Sequence, residues 1–246
     1  MFSIFKKKKE KKHVTFNYGS VAVDMHSHVL PGIDDGAQTP EESIMLIRKM
    51  MDLGIRKIIA TPHIMIDYYR NTSETINDAL TILKAELVKE NIDIDISAAA
   101  EHYFDETFQA RVESHNLMTM GDNHVLFEFS FINLPPNYTP VVQKMRDLGY
   151  KPILAHPERY PYMTLEQFKN LHDWGCDFQL NTISLTGYYG RDVKAQAEML
   201  IDNNLIDYIS SDMHHLRHAA AFRDALKTNY LEKLLFDYPL KNIMLM

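Results

Sequence analysis

Short β-rich runs alternate with amphipathic helical stretches along almost the whole chain, and this alternation restricts the possible folds more than any other feature. Seven such runs cover residues 21–26, 57–61, 94–99, 124–129, 151–155, 177–180 and 207–210. The first intervening helix opens at Thr39-Pro40-Glu41-Glu42. There Thr39 can cap, Pro40 suits the first helical position and Glu42 completes a capping box. Ile44, Leu46, Ile47, Met50 and Met51 give that helix an apolar side, and Gly54 ends it. Further helices are expected over residues 73–89, 105–113, 139–148, 164–174 and 193–203, with a last helical stretch from Ala219. Strand–helix alternation of this kind implies a parallel sheet with helices outside it. An open doubly wound sheet fits the pattern too, but no Gly-rich phosphate loop follows the first run. The polar residues favour a closed or distorted barrel.

Those polar residues gather at one end of the runs. In order they are Asp24-Met25-His26-Ser27-His28, Thr61-Pro62-His63, Glu101, Glu128, His156-Pro157-Glu158-Arg159, Asn181 and Asp212-Met213-His214. In a parallel barrel the C-terminal strand ends share one face, where barrel active sites lie. His26 and His28, two apart on extended chain, point the same way, and Asp212 and His214 repeat the spacing. Glu101 and Glu128 sit among apolar neighbours, where a carboxylate is costly unless a cation compensates it. A lone His-x-His says little, and Glu128 alone has a salt-bridged carboxylate as its alternative reading. The joint pattern points to a metal centre. Of the twelve histidines, His13, His102, His115, His124, His172, His215 and His218 read as ordinary polar or packed residues.

Charge and cysteine content exclude several functions. The net charge of −7 opposes nucleic-acid binding. No run approaches the ~18 apolar residues of a membrane span. Cys176 is the only cysteine, which rules out a disulfide framework and suits a reducing, cytoplasmic setting. A cysteine-based phosphatase needs Arg six positions after its cysteine, and that position holds Thr182. Met1 to Phe5 is too short for a signal-peptide core. The lysines at 6–9, 11 and 12 are expected in a solvated tail over residues 1–20, with weak contact to an anionic membrane as the sharper alternative. Residues 21–246 are expected to form one domain.

The motifs together resemble one family. Residues 24–36, reading from Asp24-Met25-His26-Ser27-His28 to Asp34-Asp35-Gly36, resemble the opening motif of the PHP-superfamily protein-tyrosine phosphatases found with bacterial capsule and exopolysaccharide genes. Ala60-Thr61-Pro62-His63, Ala155-His156-Pro157-Glu158-Arg159-Tyr160 and Ser211-Asp212-Met213-His214 match its later motifs in order, over residues 21–217. The resemblance implies a distorted seven-stranded (β/α) barrel of the TIM-like PHP type and a cluster of two or three metal ions, commonly manganese, with iron or zinc as alternatives. It assigns His26, His28 and Asp212 to one metal, with Glu101 shared. Glu128 and His156 go to a second, and Asp35, His63 and His214 to a third. Arg159 matches the phosphate-binding arginine, and Arg217 is the nearest candidate for a second.

The implied reaction is hydrolysis of phosphotyrosine by metal-bound hydroxide, with His63 able to assist and no covalent phosphoenzyme. The implied partner is a phosphotyrosine-bearing protein, the tail of a bacterial tyrosine kinase. Tyr68, Tyr69, Tyr103, Tyr160 and Tyr188 are expected on the rim beside it. Histidinol-phosphate or another small phosphate ester is the rival substrate on the same fold.

Overall fold

The computed structural model describes residues 16–246, so the lysine run and its membrane-contact expectation lie outside the described residues. Nine strands and eight α-helices follow one another in it. Helix α1 (Pro40–Asp52) is capped as its sequence dictates, with the Thr39 side chain accepting from the Glu42 amide. Its buried side is Ile44, Leu46, Ile47 and Met50. Helices α2 (Ser73–Lys89) and α5 (Leu165–Asp173) both open on capping boxes, at Thr72–Thr75 and Thr164–Gln167.

The strands form two all-parallel sheets rather than one set of seven continuous strands. One sheet runs β1 (Val23–Asp24), β2 (Lys57–Ala60), β4 (Asp95–Ala98). The other runs β3 (His63–Ile64), β5 (Glu101–Tyr103), β6 (His124–Glu128), β7 (Lys151–Ala155), β8 (Asp177–Asn181), β9 (Tyr208–Ser210). The second and third runs of the sequence are each followed, after a short break, by a further strand segment, β3 and β5. Pro62 has no amide to donate and interrupts the second run between β2 and β3. Ala99-Ala100 interrupts the third between β4 and β5. The ladder carries across both breaks, because Ala99 N donates to Ala60 O and Glu101 N to Pro62 O.

The chain ends of the sheet system also meet. The amides of Met25 and His26 both donate to Ser210 Oγ at 3.0 and 2.8 Å. Asp212 N donates to His26 O, and His28 N to Met213 O. At the opposite ends of these strands, Asn242 accepts from Ile209 N and donates to Val23 O and Ile209 O. A small apolar cluster of Val23, Met25, Ile59, Ala99, Leu126, Ile153, Ala155, Tyr208 and Leu245 fills the space the strands enclose. The larger core lies between strands and helices.

Two boundaries differ from the sequence reading. Tyr18, placed with the tail, is buried, stacks on Phe222 at 3.9 Å and donates its hydroxyl to Phe222 O. Phe16 packs edge-on against Phe236 at 5.3 Å. An aromatic pair buries enough apolar surface to hold a segment that charge alone marks as tail. Helix α7 (Leu216–Ala225) starts before Ala219, because His215 caps it through its side chain. Helix α8 (Asn229–Phe236) then follows. No helix among the described residues is long and apolar enough to cross a membrane.

Candidate metal centre

The residues expected as metal ligands gather at one cavity: Asp35, His63, Glu101, Glu128, His156, Asp212 and His214 line it, and His26 and His28 lie buried against them. The end of β1 delivers His26 and His28, and hydrogen bonds fix both rings. His26 Nδ1 is 2.8 Å from Gln179 Oε1. Gln179 Nε2 donates to Asn181 Oδ1, and Asn181 Nδ2 donates to Asp212 Oδ2 at 2.7 Å. His28 Nδ1 is 2.8 Å from Asp34 Oδ2. Both Nδ1 atoms therefore carry hydrogens toward oxygen acceptors, and in the neutral rings both Nε2 atoms are bare lone pairs. These two Nε2 atoms face each other at 3.3 Å. Glu101 Oε2 stands 3.2 and 3.4 Å from them, and Asp212 Oδ1 3.4 Å from each.

Two lone pairs and two carboxylate oxygens at such spacing repel unless positive charge lies between them. Ligands about 2.1 Å from one ion on a tetrahedron are themselves about 3.4 Å apart, as here. A second group forms where His63 Nδ1 lies 3.1 Å from both Glu101 Oε2 and Glu128 Oε1, and His156 Nε2 lies 3.0 Å from Glu101 Oε1. His63 Nδ1 is buried with no hydrogen-bond partner. A third group gathers His28, Asp35, His63 and His214, with Asp35 Oδ1 3.5 Å from the Nε2 of both His63 and His214. An orphaned ring nitrogen, buried carboxylates and mixed N/O donors fit divalent cations.

The electrostatics state the same demand. Burial opposes protonation of His28, yet Asp34, Asp212 and Glu101 hold its pKa well above the ordinary value. Burial likewise opposes protonation of His63, and Glu101 and Glu128 still carry it up to about 9. Glu101 and Asp212 resist burial's upward push and lie well below the usual carboxylate range, because histidines surround them. Without a cation, protons must serve as the positive charge. A divalent ion supplies it directly.

Local backbone geometry aims these side chains. His156 and Asp212, at the ends of β7 and β9, adopt the left-handed region at φ 33° and 51°. That conformation costs free energy for any residue but glycine, and it turns the chain abruptly at the strand end. Gly36 folds the motif loop back so tightly that a Cβ there would sit 2.0 Å from His28 O.

Arg159 ends a short 3-10 turn after His156. Glu158 does not pair with it, since Glu158 Oε1 accepts from Asn181 N and Ser184 Oγ and so pins the turn to β8. The Arg159 guanidinium lies between two rings, 4.1 Å from the centroid of Phe131 and 4.4 Å from that of Tyr189. Its Nη1 is 3.6 Å from Asp212 Oδ2. The cavity it borders measures about 600 Å³ and is lined by Asp35, His63, Glu101, Glu128, His156, Asp212 and His214 among others.

Some expectations do not hold. Arg217 is exposed on the first turn of α7 and does not line this cavity itself; it lines an adjoining pocket that shares His214 and His215 with it. Tyr160 is fully buried, with its hydroxyl bonded to Phe129 N and Ala155 O, so it belongs to the core and not to the rim. Tyr68, Tyr69 and Tyr103 do line the cavity, but Tyr189 reaches it in place of Tyr188. His215 and His218, read as ordinary, line it too. The sequence reading placed Asn181 at a strand end but gave no role to Asp34, Gln179, Phe131 or Tyr189. A polar pair at i, i+2 in a buried strand was the available signal for Gln179 and Asn181. Elsewhere, His172, Asp177 and Asp207 lie close enough for an ion. Lys241 Nζ already serves there, 2.7 Å from Asp177 and 2.8 Å from Asp207.

Comparison with known proteins agrees with this geometry. Residues 22–241 match the CpsB/CapC family of capsular polysaccharide synthesis. The chain is 31% identical over 198 residues to the tyrosine-protein phosphatase YwqE of Bacillus subtilis strain 168, covering 79% of this chain and 78% of that protein. It superposes with a TM-score of 0.75 and 28% identity on a chain from the crystal structures of YwqE from Bacillus subtilis and CpsB from Streptococcus pneumoniae, metal-dependent tyrosine phosphatases. That match covers 89% of this chain and 96% of the other. A phosphotriesterase homology protein from Escherichia coli, with phosphate in its active site, superposes with a TM-score of 0.54 at 14% identity over 93% of this chain and 96% of the other, which speaks to fold alone. The chain belongs to the CpsB/CapC family of capsular polysaccharide synthesis proteins.

Proposed function

We propose that this chain is a manganese-dependent protein-tyrosine phosphatase acting on a bacterial tyrosine kinase tail in capsule or exopolysaccharide synthesis. The observation that carries the metal-dependent reading is the pair of His26 and His28 Nε2 atoms 3.3 Å apart, enclosed by Glu101 and Asp212. Only a cation makes that arrangement favourable with neutral rings. We read the nine strand segments as the staves of a distorted seven-stranded barrel, and residues 21–246, together with the segment from Phe16 that packs on them, as one cytoplasmic domain.

Two or three ions would be held by His26, His28, Asp35, His63, Glu101, Glu128, His156, Asp212 and His214. Such ions, when bound, acidify coordinated water and neutralise charge on phosphoryl oxygens. The chain's own residues supply the rest. The planar fork of Arg159, held between two rings, can take two phosphoryl oxygens at once. Tyr69, stacked on His63 at 5.4 Å, offers a flat wall to an aryl ring. A phenol leaves with a pKa of about 10, so little acid assistance is needed. Gln179, Asn181 and Asp34 keep the rings and Asp212 in place throughout.

The test is turnover of a phosphotyrosine peptide, p-nitrophenyl phosphate, histidinol phosphate and single-stranded DNA by one preparation. Chelation should abolish hydrolysis of both aryl esters, and Mn should restore it. Full activity in verified metal-free protein would overturn the reading. Faster turnover of histidinol phosphate than of the peptide would move the substrate to small esters. If a tyrosine-phosphorylated kinase tail shows no lower KM than p-nitrophenyl phosphate, the protein-substrate part fails and the metallophosphatase part stands.

A further inference from the structure

A second cavity of about 330 Å³ adjoins the metal centre, and Met65 and Tyr69 line both. Its lining includes two arginines, Arg70 and Arg111, and no carboxylate. Arg70 is exposed and donates Nε to Ile66 O at 2.8 Å. Among the described residues it makes no ion pair, so its terminal nitrogens can meet an incoming anion. Arg111 is anchored deeper. Its Nη1 donates to His102 Nδ1 at 3.0 Å, and its Nη2 reaches Asp105 Oδ1 at 3.3 Å. Its Nε is buried with no hydrogen-bond partner. Asp105 balances one of the two guanidinium charges, which leaves the cavity one positive charge in excess.

We infer that this cavity is a subsite for an anionic side chain, carboxylate or phosphate, lying within two residues of the phosphotyrosine. The inference rests on the phosphatase reading for the position of the phosphotyrosine. The shared wall supplies the geometry, because neighbouring residues of an extended peptide are about 3.3 Å apart along the chain. A substrate anchored over the metals therefore has no long gap to bridge. A guanidinium with free nitrogens then favours an anion over a neutral or cationic side chain.

The experiment uses fluorescent phosphotyrosine peptides with Glu, a second phosphotyrosine, Gln or Lys placed in turn at positions −2 to +2. Binding is read by anisotropy, and turnover is expressed as a ratio to p-nitrophenyl phosphate. At one position an anionic residue should bind about fivefold tighter than Gln, the size of one partly exposed charge pair. Lys there should bind more weakly than Gln. In Arg70→Glu that order should reverse, with Lys preferred. The Glu and second-phosphotyrosine arms separate carboxylate from phosphate as the ligand. Equal Kd for all four residues at every position overturns the subsite, as does an anion preference that survives Arg70→Glu. Absence of p-nitrophenyl phosphate turnover in the wild-type chain with Mn would instead count against the phosphatase reading, since anisotropy does not depend on catalysis.

Discussion

Gln179 Oε1 lies 2.8 Å from His26 Nδ1, while Nε2 of the same ring faces Glu101 and Asp212. The amide fixes the tautomer, and its own Nε2 continues through Asn181 to Asp212. One short relay thus orients two proposed ligands of the same ion.

Gln179→Leu should therefore lower metal affinity about 10- to 100-fold, the usual effect of removing a group that orients a ligating histidine. Gln179→Glu, which keeps an acceptor toward Nδ1, should lose less. Competition with a fluorescent chelator measures both. Wild-type affinity in Gln179→Leu would mean that packing alone orients His26.

The contrast between what the sequence disclosed and what it hid follows from this relay. Ligand types at strand ends are visible in one dimension, because residue identity and strand position suffice to place them on one face. His26, His28, Glu101 and Asp212 were legible for that reason. A supporting residue is defined by what it touches. Gln179 is 153 positions from His26, and Phe131 is 28 from Arg159, so no local pattern connects either pair. The segment β3 was hidden for a related reason: Pro62 reads as a loop signal after a strand, whereas the ladder resumes beyond it at His63 and Ile64. Arg217 was assigned by order along the chain, and the first turn of α7 carries it to an adjoining pocket that shares His214 and His215 with the cavity.

Stability away from the metal centre should depend on pH through His172. Its Nε2 is 2.9 Å from Asp207 Oδ2, and that hydrogen bond raises the ring's pKa against partial burial. The folded value then exceeds the unfolded value of about 6.5. The stabilisation is complete below that unfolded value and is lost as pH rises through the folded one. Urea midpoints of wild type and His172→Gln, compared from about pH 5.5 to about 9, should differ most at the acid end. The difference should shrink as pH rises. A gap independent of pH would remove the coupling.

Cys176 should be dispensable for turnover. It is buried, and burial pushes its thiol well above the ordinary range, so it has no thiolate to offer. Cys176→Ala should leave kcat/KM within about twofold while lowering Tm modestly through lost packing. A large loss of turnover with metal content intact would revive a thiol mechanism.

Arg159 should behave as a pre-set phosphate fork whose aim depends on two rings it does not share a strand with. Phe131 and Tyr189 hold the guanidinium from opposite lining segments, at 4.1 and 4.4 Å, and Glu158 pins the turn that carries it. Arg159→Ala removes the charge-assisted hydrogen bonds to phosphate and should lower kcat/KM about 100-fold. Its Tm and metal content should stay near wild type, because the side chain is partly exposed and Asp212, the proposed ligand it touches at 3.6 Å, is held more closely by Asn181 Nδ2 at 2.7 Å. Arg159→Lys should recover little, since an ammonium neither forks nor stacks between rings. Removing one ring, in Phe131→Ala or Tyr189→Leu, should cost about 3- to 30-fold, the range of one cation–π contact. The double variant of Arg159→Ala with Tyr189→Leu then decides the matter. If Tyr189 acts only by positioning the arginine, its substitution should have almost no further effect once Arg159 is gone. Additive losses would give Tyr189 a direct contact with substrate instead, and would return Arg159 to an independent role at the rim.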